Sequence, residues 1–320
     1  MVHLAPTVTL NNGCKIPALG LGTWSLRGDE GIRAVKTAID EGFRHFDTAC
    51  LYGNEKEVGQ AVRDKIAEGV ITREDVFVTS KLWNSHHDPE NVEGALDRSL
   101  AMLGLDYIDL YLMHTPMSYK FSSWEPEDPE AATVPEFTAI DFVDTWRAME
   151  KLLQTGKIKS IGVSNFNSEQ VARIVNECTV APVINQVECN PALNQRQLIE
   201  FCKNLNVAIT AYSPLGRPNY YEKDPINEPK PALDDPLVLA LSQKYDKTPG
   251  QIILRYLIHQ GTIPIPMAAD PELIRQNIEI FSFKLSDEDI QAMWSLNSGI
   301  RTSPLERCAS HKYFPFGIEF

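Results

Sequence analysis

Four residues of the types that move protons recur at matching places in this chain: Asp47, Tyr52, Lys81 and His114. Asp47 ends a short apolar run inside Gly42-Phe-Arg-His-Phe-Asp-Thr-Ala-Cys-Leu-Tyr-Gly-Asn-Glu55, and Tyr52 follows within the same stretch. Lys81 closes Val76-Phe-Val-Thr-Ser, and His114 closes Leu110-Tyr-Leu-Met. An acid after an apolar run is ordinarily turn chemistry. Ionisable groups at the ends of three successive apolar runs are different, because buried charge is costly unless it is paired or used. A phenol ionises near pH 10, and a neighbouring ammonium favours its ionised form. Lys81 is expected to lower the Tyr52 pKa in this way, with Asp47 pairing with and orienting the lysine. His114 would hydrogen-bond a substrate oxygen. Such a set can protonate an oxygen as charge develops on it. It offers no hydride and no evident nucleophile, so a cofactor is expected.

The elements that must position these groups are read from hydrophobic rhythm. Apolar runs at Leu19–Trp24, His45–Ala49, Val76–Leu82, Ile108–His114, Ser160–Asn165, Ile184–Asn190, Val207–Pro214 and Thr262–Pro266 give eight candidate strands. Between them lie helical patterns. Gly31–Glu41 has Ile32, Val35, Ala38 and Ile39 on one face, and Pro89–Leu103 has Val92, Ala95, Leu96 and Leu100. Glycine after Glu41 suits a left-handed helix cap. Strands alternating with helices imply parallel pairing through crossovers, and eight such units predict a (β/α)8 TIM barrel, α/β in class, with residues 1–320 as a single domain. Asn11-Asn12-Gly13 between two short apolar arms predicts an N-terminal β-hairpin that lids one end. Leu19-Gly-Leu-Gly-Thr-Trp24 supplies only the first two glycines of a dinucleotide-binding turn, which disfavours an open doubly wound sheet. Long loops are expected at Thr115–Ala139 and Arg217–Asp235, on the face where barrels carry their sites. Tyr313, Phe314, Phe316 and Phe320 close the chain, either as the rim of an apolar pocket or as packing of a tail.

A net charge of -13 and a pI near 5.0 argue against nucleic acid as a partner. No apolar run approaches a membrane span, and Met1–Leu10 lacks a signal-peptide pattern, so a cytoplasmic, soluble protein is expected. Cys14, Cys50, Cys178, Cys189, Cys202 and Cys308 show no C-x-x-C spacing, which suggests reduced thiols rather than zinc or a disulfide framework. On the later strands, Asn165 and Gln186 offer both donor and acceptor, as a carboxamide ligand requires, and Tyr212 offers a ring. Taken singly, each reads first as barrel core: hydrogen bonding for Asn165 and Gln186, packing for Tyr212.

The chain resembles the aldo-keto reductase superfamily along nearly its whole length. The resemblance rests on Gly20-Leu-Gly-Thr-Trp24, His45-Phe-Asp-Thr-Ala-x-x-Tyr-Gly-Asn-Glu55, Thr79-Ser-Lys-Leu-Trp83, Asp106-Tyr-Ile-Asp-Leu-Tyr-Leu-x-His114, Gly156-Lys-Ile-x-x-Ile-Gly-Val-Ser-Asn-Phe166 and Asn185-Gln-Val-Glu-Cys-Asn-Pro191. His311-Lys-Tyr-Phe-Pro-Phe316 is similar to the ending of animal cytosolic members of the aldose reductase type. The resemblance implies reduction of an aldehyde or ketone to an alcohol by direct hydride transfer from NADPH. It makes Tyr52 the general acid, Lys81 and Asp47 the pair that tunes it, and His114 the residue that orients the carbonyl. It places Thr23, Trp24, Asp47, Ser164, Asn165, Gln186, Tyr212, Ser213, Leu215, Arg217, Met267, Ala268, Gln276 and Asn277 at cofactor positions, with Tyr212 on the nicotinamide and Asn165 and Gln186 on its carboxamide. Trp24, Tyr52, Trp83, His114 and Phe121 would face the substrate. A monomer acting on a small carbonyl compound is implied.

Two departures stand out. The family's 2′-phosphate grip is Pro-Lys-Ser followed by an arginine, whereas this chain has Pro266-Met267-Ala268 and then Leu273, which leaves NADH open beside NADPH. Arg217 and Arg275 are the substitutes at hand. Thr115 stands where aldose-reducing relatives often carry tryptophan, which implies a wider pocket suited to a bulky or steroid-like carbonyl. Three other readings compete: a catalytically weak cofactor-binding or structural protein on this scaffold, a Schiff-base aldolase using Lys81, and a metal hydrolase. The aldolase needs a neutral lysine, which Asp47 opposes, and Lys81 would repel a metal ion.

Overall fold

A computed structural model describes residues 4–124, 134–217, 232–318 and 320. Its strands are β1 (Thr7–Thr9), β2 (Lys15–Pro17), β3 (Leu21–Gly22), β4 (His45–Asp47), β5 (Phe77–Leu82), β6 (Leu110–Met113), β7 (Ile161–Ser164), β8 (Ile184–Glu188), β9 (Ala208–Tyr212) and β10 (Thr262–Pro264). From β3 to β10 each strand pairs in parallel with the next in chain order. Backbone bonds join the first of these to the last: Gly20 N–H donates to Pro264 O at 3.1 Å and Gly22 N–H to Pro266 O at 3.0 Å. A Cβ on Gly22 would sit 2.6 Å from Ile265 O, so only glycine lets the two strands close. The fold is therefore the expected (β/α)8 barrel. Each strand from β3 to β10 lies within one of the eight apolar runs, and the remaining residues of each run lead into loops.

Parallel strands in such a fold are covered on both faces, which is why they read as continuous apolar runs. The helix Gly28–Glu41 buries Ala34, Val35, Ala38 and Ile39 against the barrel. It begins one turn before the expected Gly31, with Asp29 and Glu30 in its first turn, where acids suit the helix dipole. Gly42, at φ 108°, ends it and donates to the Ala38 and Ile39 carbonyls. The second expected helix starts at Val92 rather than Pro89, because Pro89–Asn91 forms a turn.

Strands β1 and β2 form the expected antiparallel hairpin, with Val8 opposite Ile16. Leu10 and Ile16 pack against Phe77, Leu110, Ile184 and Ile263, which lie at or next to the N-terminal ends of β5, β6, β8 and β10. The hairpin thus plugs the end of the barrel opposite the strand C-termini, and full burial of an aliphatic side chain there contributes ~1.5–3 kcal/mol. In the first long loop, Tyr119 bridges to Phe137, and residues 125–133 lie outside the described residues. Of the second, Arg217–Asp235, residues 218–231 lie outside them as well. Among the described residues no helix is long and apolar enough to cross a membrane, and no cluster of His, Cys, Asp or Glu is arranged for a metal. None of the six cysteines is disulfide-bonded.

Candidate active site

Strand alternation and register bring the ionisable groups together. His45 and Asp47 project from one face of β4, and Thr79 and Lys81 from the same face of β5. His45 and Thr79 meet at 3.3 Å, while one layer nearer the strand C-termini the Lys81 ammonium pairs with Asp47 Oδ1 at 2.6 Å. Lys81 and Asp47 are 0 % and 1 % exposed, so this ion pair has left water entirely. The lysine is satisfied by two further bonds, donated to Thr48 O at 2.9 Å and to the Tyr52 phenol oxygen at 3.1 Å. Asp47 Oδ2 accepts from Gln186 Nε2 at 2.7 Å. A buried pair persists only when its remaining donors and acceptors are met, as they are here.

Burial lowers the Lys81 pKa, and the Asp47 carboxylate opposes that shift. The phenol behaves contrary to the sequence-based expectation. Burial, joined by the Asp47 charge, raises the Tyr52 pKa well above its ordinary value instead of lowering it. Asp47 sits against the ammonium and cancels much of its field, leaving desolvation to decide. The result is a phenol that keeps its proton at neutral pH, and because Lys81 donates into its oxygen, that proton remains available to another acceptor. Burial and the Lys81 charge hold His114 well below the ordinary histidine value, so its imidazole is neutral. Its Nδ1 is buried without a hydrogen-bond partner among the described residues.

Around these groups stands an aromatic wall. Trp24 meets the Tyr52 ring edge-on at 4.9 Å, Tyr52 meets His114 at 5.8 Å, and Trp83 lies between His114 at 5.2 Å and Tyr119 at 5.7 Å. Leu51, Trp83, Met117, Tyr119 and Cys308 form one apolar cluster, joined by Trp24, Phe137, Leu305 and Phe314. Phe121, a sequence candidate for this wall, sits farther out against His86 and Trp124 and is 38 % exposed. The chain's last segment divides between the two readings left open for it. Phe314 joins the pocket cluster, whereas Tyr313 packs on Phe142 and Phe320 on Phe201. Thr115 is buried, with its hydroxyl donated to Asn84 Oδ1 at 3.0 Å.

The ends of β7, β8 and β9 supply a second, uncharged group of polar side chains. Asn165, at φ 61°, donates to His114 O at 2.9 Å and accepts from the Tyr212 hydroxyl at 2.8 Å; Ser164 Oγ donates to Gln186 O at 2.9 Å. Amides and hydroxyls beside a half-buried tyrosine ring fit the neutral carboxamide and flat ring of a nicotinamide. Thr23, just past β3, donates its hydroxyl to Asp47 O at 2.9 Å, and Ser213, at φ 46°, and Leu215 follow Tyr212 on the turn after β9.

Beyond β10 the character changes. Met267 and Leu273 are 48 % and 51 % exposed, and Ala268 is buried. Arg275 is ion-paired with Glu272, which also accepts from Gln276 Nε2 at 2.9 Å. Asp270 caps the helix Pro271–Ile278 by accepting from the Glu272 and Leu273 amides, so a carboxylate already occupies that helix N-terminus. Arg217 reaches Ser303 Oγ at 3.3 Å and Thr302 O at 3.4 Å instead, and Asn277 is buried. Neither substitute arginine is therefore held ready for a phosphate at this corner.

A (β/α)8 barrel with a buried Asp–Lys pair donating to a protonated tyrosine at its C-terminal face defines a barrel enzyme built for proton transfer at an oxygen. Residues 18–298 match the Aldo/keto reductase family, and the chain belongs to it. It is 42% identical to Aldo-keto reductase family 1 member A1-A of Danio rerio, over 98% of this chain and 99% of that one. It is equally 42% identical to Estradiol 17 beta-dehydrogenase 5 of Mus musculus, over 98% of each. The crystal structure of a Bombyx mori aldo-keto reductase in complex with NADP superposes with a TM-score of 0.88 at 40% identity, covering 98% of this chain and 99% of that one.

Thr48 and Asn54, both buried beside the turn that carries Tyr52, bear no sign of a role in the sequence, and buried Tyr119 reads there only as one of the loop aromatics that could rim a pocket. Asn54 lies inside the motif His45–Glu55, and Tyr119 shares the loop Thr115–Ala139 with Phe121 and Trp124. Only the folded chain shows what they touch.

Proposed function

We propose that the protein reduces an aldehyde or ketone to the alcohol with a nicotinamide cofactor, as one catalytic domain spanning residues 1–320. When bound, reduced nicotinamide supplies the hydride. Tyr52 then gives its proton to the carbonyl oxygen as negative charge gathers there. Lys81, already donating to the phenol oxygen, stabilises the phenolate left behind, and Asp47 keeps the lysine in place. His114, neutral, directs a ring nitrogen at the same carbonyl oxygen. Asn165, Gln186 and Ser164 would hold the carboxamide, with Tyr212 stacked on the ring. Trp24, Trp83, Tyr119 and Phe314 keep water from the reacting atoms.

The observation that carries this reading is the hydrogen-bonded chain Asp47–Lys81–Tyr52, which leaves a protonated phenol beside the aromatic wall. The NADP held by the Bombyx mori relative supports NADPH as the cofactor. The uncharged side chains Met267, Ala268 and Leu273 at the family's phosphate-gripping positions support admission of NADH alongside it. Thr115, small where aldose-reducing relatives often carry tryptophan, supports a bulky or steroid-like carbonyl, in keeping with the mouse relative, an estradiol 17 beta-dehydrogenase. The protein is taken to act as a cytoplasmic monomer. The competing reading, a catalytically weak scaffold, is disfavoured by the complete set Asp47, Tyr52, Lys81 and His114. The test is oxidation of NADPH and of NADH by the purified protein with a panel of small and bulky aldehydes and ketones. Turnover is expected with at least one carbonyl class; a flat trace with every pairing would sink the enzyme reading.

A further inference from the structure

Asn54 occupies the N-cap position of the helix Glu55–Ala67, the place where asparagine ordinarily bonds the first turn's amides, yet its side chain makes no such cap. It points inward and is fully buried. Its Oδ1 accepts from Thr48 Oγ1 at 2.7 Å, and its Nδ2 donates to Thr23 O at 2.6 Å and to Leu26 O at 2.8 Å. Thr48 and Asn54 are the two ends of the loop that holds the short turn Cys50–Tyr52, so the side-chain bond between them closes that loop at its base. Thr23 and Leu26 flank Trp24, whose ring meets Tyr52 edge-on. Thr48 O is also a Lys81 acceptor, and Thr23 N donates to Asp47 O at 3.0 Å. One amide thus ties together the backbones that carry Tyr52, Trp24 and the acceptors of Lys81, while touching none of the reacting groups.

We infer that Asn54 is a positioning residue, which sets the Tyr52 hydroxyl against Lys81 and the pocket wall. This inference rests on the proton-donor reading of Tyr52. The helix forgoes a capping bond, and the gain is a fixed geometry at the phenol. Misplacement of a proton donor by about 1 Å costs on the order of a hundredfold in rate.

The experiment compares Asn54→Ala, Asn54→Ser and the near-isosteric Thr48→Val with the unaltered protein. It reads kcat, KM, the pH profile of kcat and the Kd for NADPH by quenching of protein fluorescence. Expected are a fall in kcat of ~10–100-fold in Asn54→Ala with a changed pH profile, a smaller fall in Thr48→Val, partial recovery in Asn54→Ser, and a Kd within about twofold throughout. The Thr48→Val/Asn54→Ala double variant should fall no further than Asn54→Ala, because the two residues share one bond. Unaltered kcat in Asn54→Ala overturns the inference. So does a loss of kcat matched by an equal loss of NADPH-binding capacity, which marks a folding role alone. If Tyr52→Phe is fully active, the proton-donor reading itself has failed; if Tyr52→Phe is inactive and Asn54→Ala is unimpaired, only the positioning role has.

Discussion

The Lys81 ammonium donates to the Tyr52 phenol oxygen at 3.1 Å while its ion pair with Asp47 spans 2.6 Å. The closer partner governs the electrostatics. Asp47 offsets the charge that would otherwise ionise the phenol, so burial keeps Tyr52 protonated. The lysine's part is then to stabilise the phenolate once the proton has left, not to form it beforehand.

Tyr52→Phe removes only the transferable proton and its hydrogen bond with Lys81. Reduction should fall by ~10²–10⁴-fold in kcat, the usual contribution of a positioned acid, with the NADPH Kd nearly unchanged. Steady-state kinetics and a fluorescence titration read the two quantities separately. Substantial remaining turnover would remove Tyr52 from the donor's role.

Lys81→Met leaves the Asp47 carboxylate buried without its counter-ion. Losing one partner of such a pair costs ~3–5 kcal/mol, whereas replacing both is far milder. Urea unfolding should show Lys81→Met strongly destabilised and the double variant Asp47→Asn/Lys81→Met recovering much of the loss, though not the activity. A double variant no more stable than Lys81→Met would mean that Asp47 is relieved by other groups.

The corner after β10 predicts weak discrimination for a 2′-phosphate. Met267→Lys combined with Leu273→Arg should tighten NADPH relative to NADH by roughly ten- to a hundredfold, since a charge-assisted hydrogen bond contributes ~1.5–3 kcal/mol. The ratio of the two dissociation constants is the measurement. An unchanged ratio places the phosphate elsewhere.

Stability should decline as the solution is acidified below about pH 6.5. Burial pushes His45 and His87 down to about 3 in the folded protein, with Lys81 adding to the first and His86 and His311 to the second. An unfolded histidine takes up its proton near pH 6.5, so between that value and about 3 the unfolded state binds protons that the native state refuses. Each such group then costs ~1.4 kcal/mol per pH unit of acidification. Burial lowers His114 in the same sense, and Glu55, raised by burial, opposes it. Among the described residues neither ring nitrogen of His87 has a hydrogen-bond partner, so His87→Leu should flatten the slope between pH 6.5 and 5 in urea unfolding. An unchanged slope would show that His87 becomes protonated without unfolding.

The order of strands and helices was legible in the chain because it is local. Apolar runs such as Val76–Leu82 pack on both faces and so lack alternation, while Gly31–Glu41 shows its helical stripe and Gly42 its stop. Helix starts were less legible: Gly28 and Val92 depend on first-turn acids and on a turn at Pro89, which periodicity does not weigh. The candidate tetrad was legible for the same local reason, since Asp47, Lys81 and His114 each end a run, and a barrel gathers strand ends on one face. The altered corner at Met267 and Leu273 was also visible as a change of residue type. The direction of the Tyr52 shift was not, because it depends on the balance between a charge at 3.1 Å, its counter-charge and the exclusion of water. Phe121's place outside the wall, Tyr119 within it and the inward turn of Asn54 likewise belong to the folded chain. Sequence alone determined which groups are available and at which strand ends they stand. Tertiary structure decided their protonation and their partners, because both depend on contacts between residues far apart in the chain.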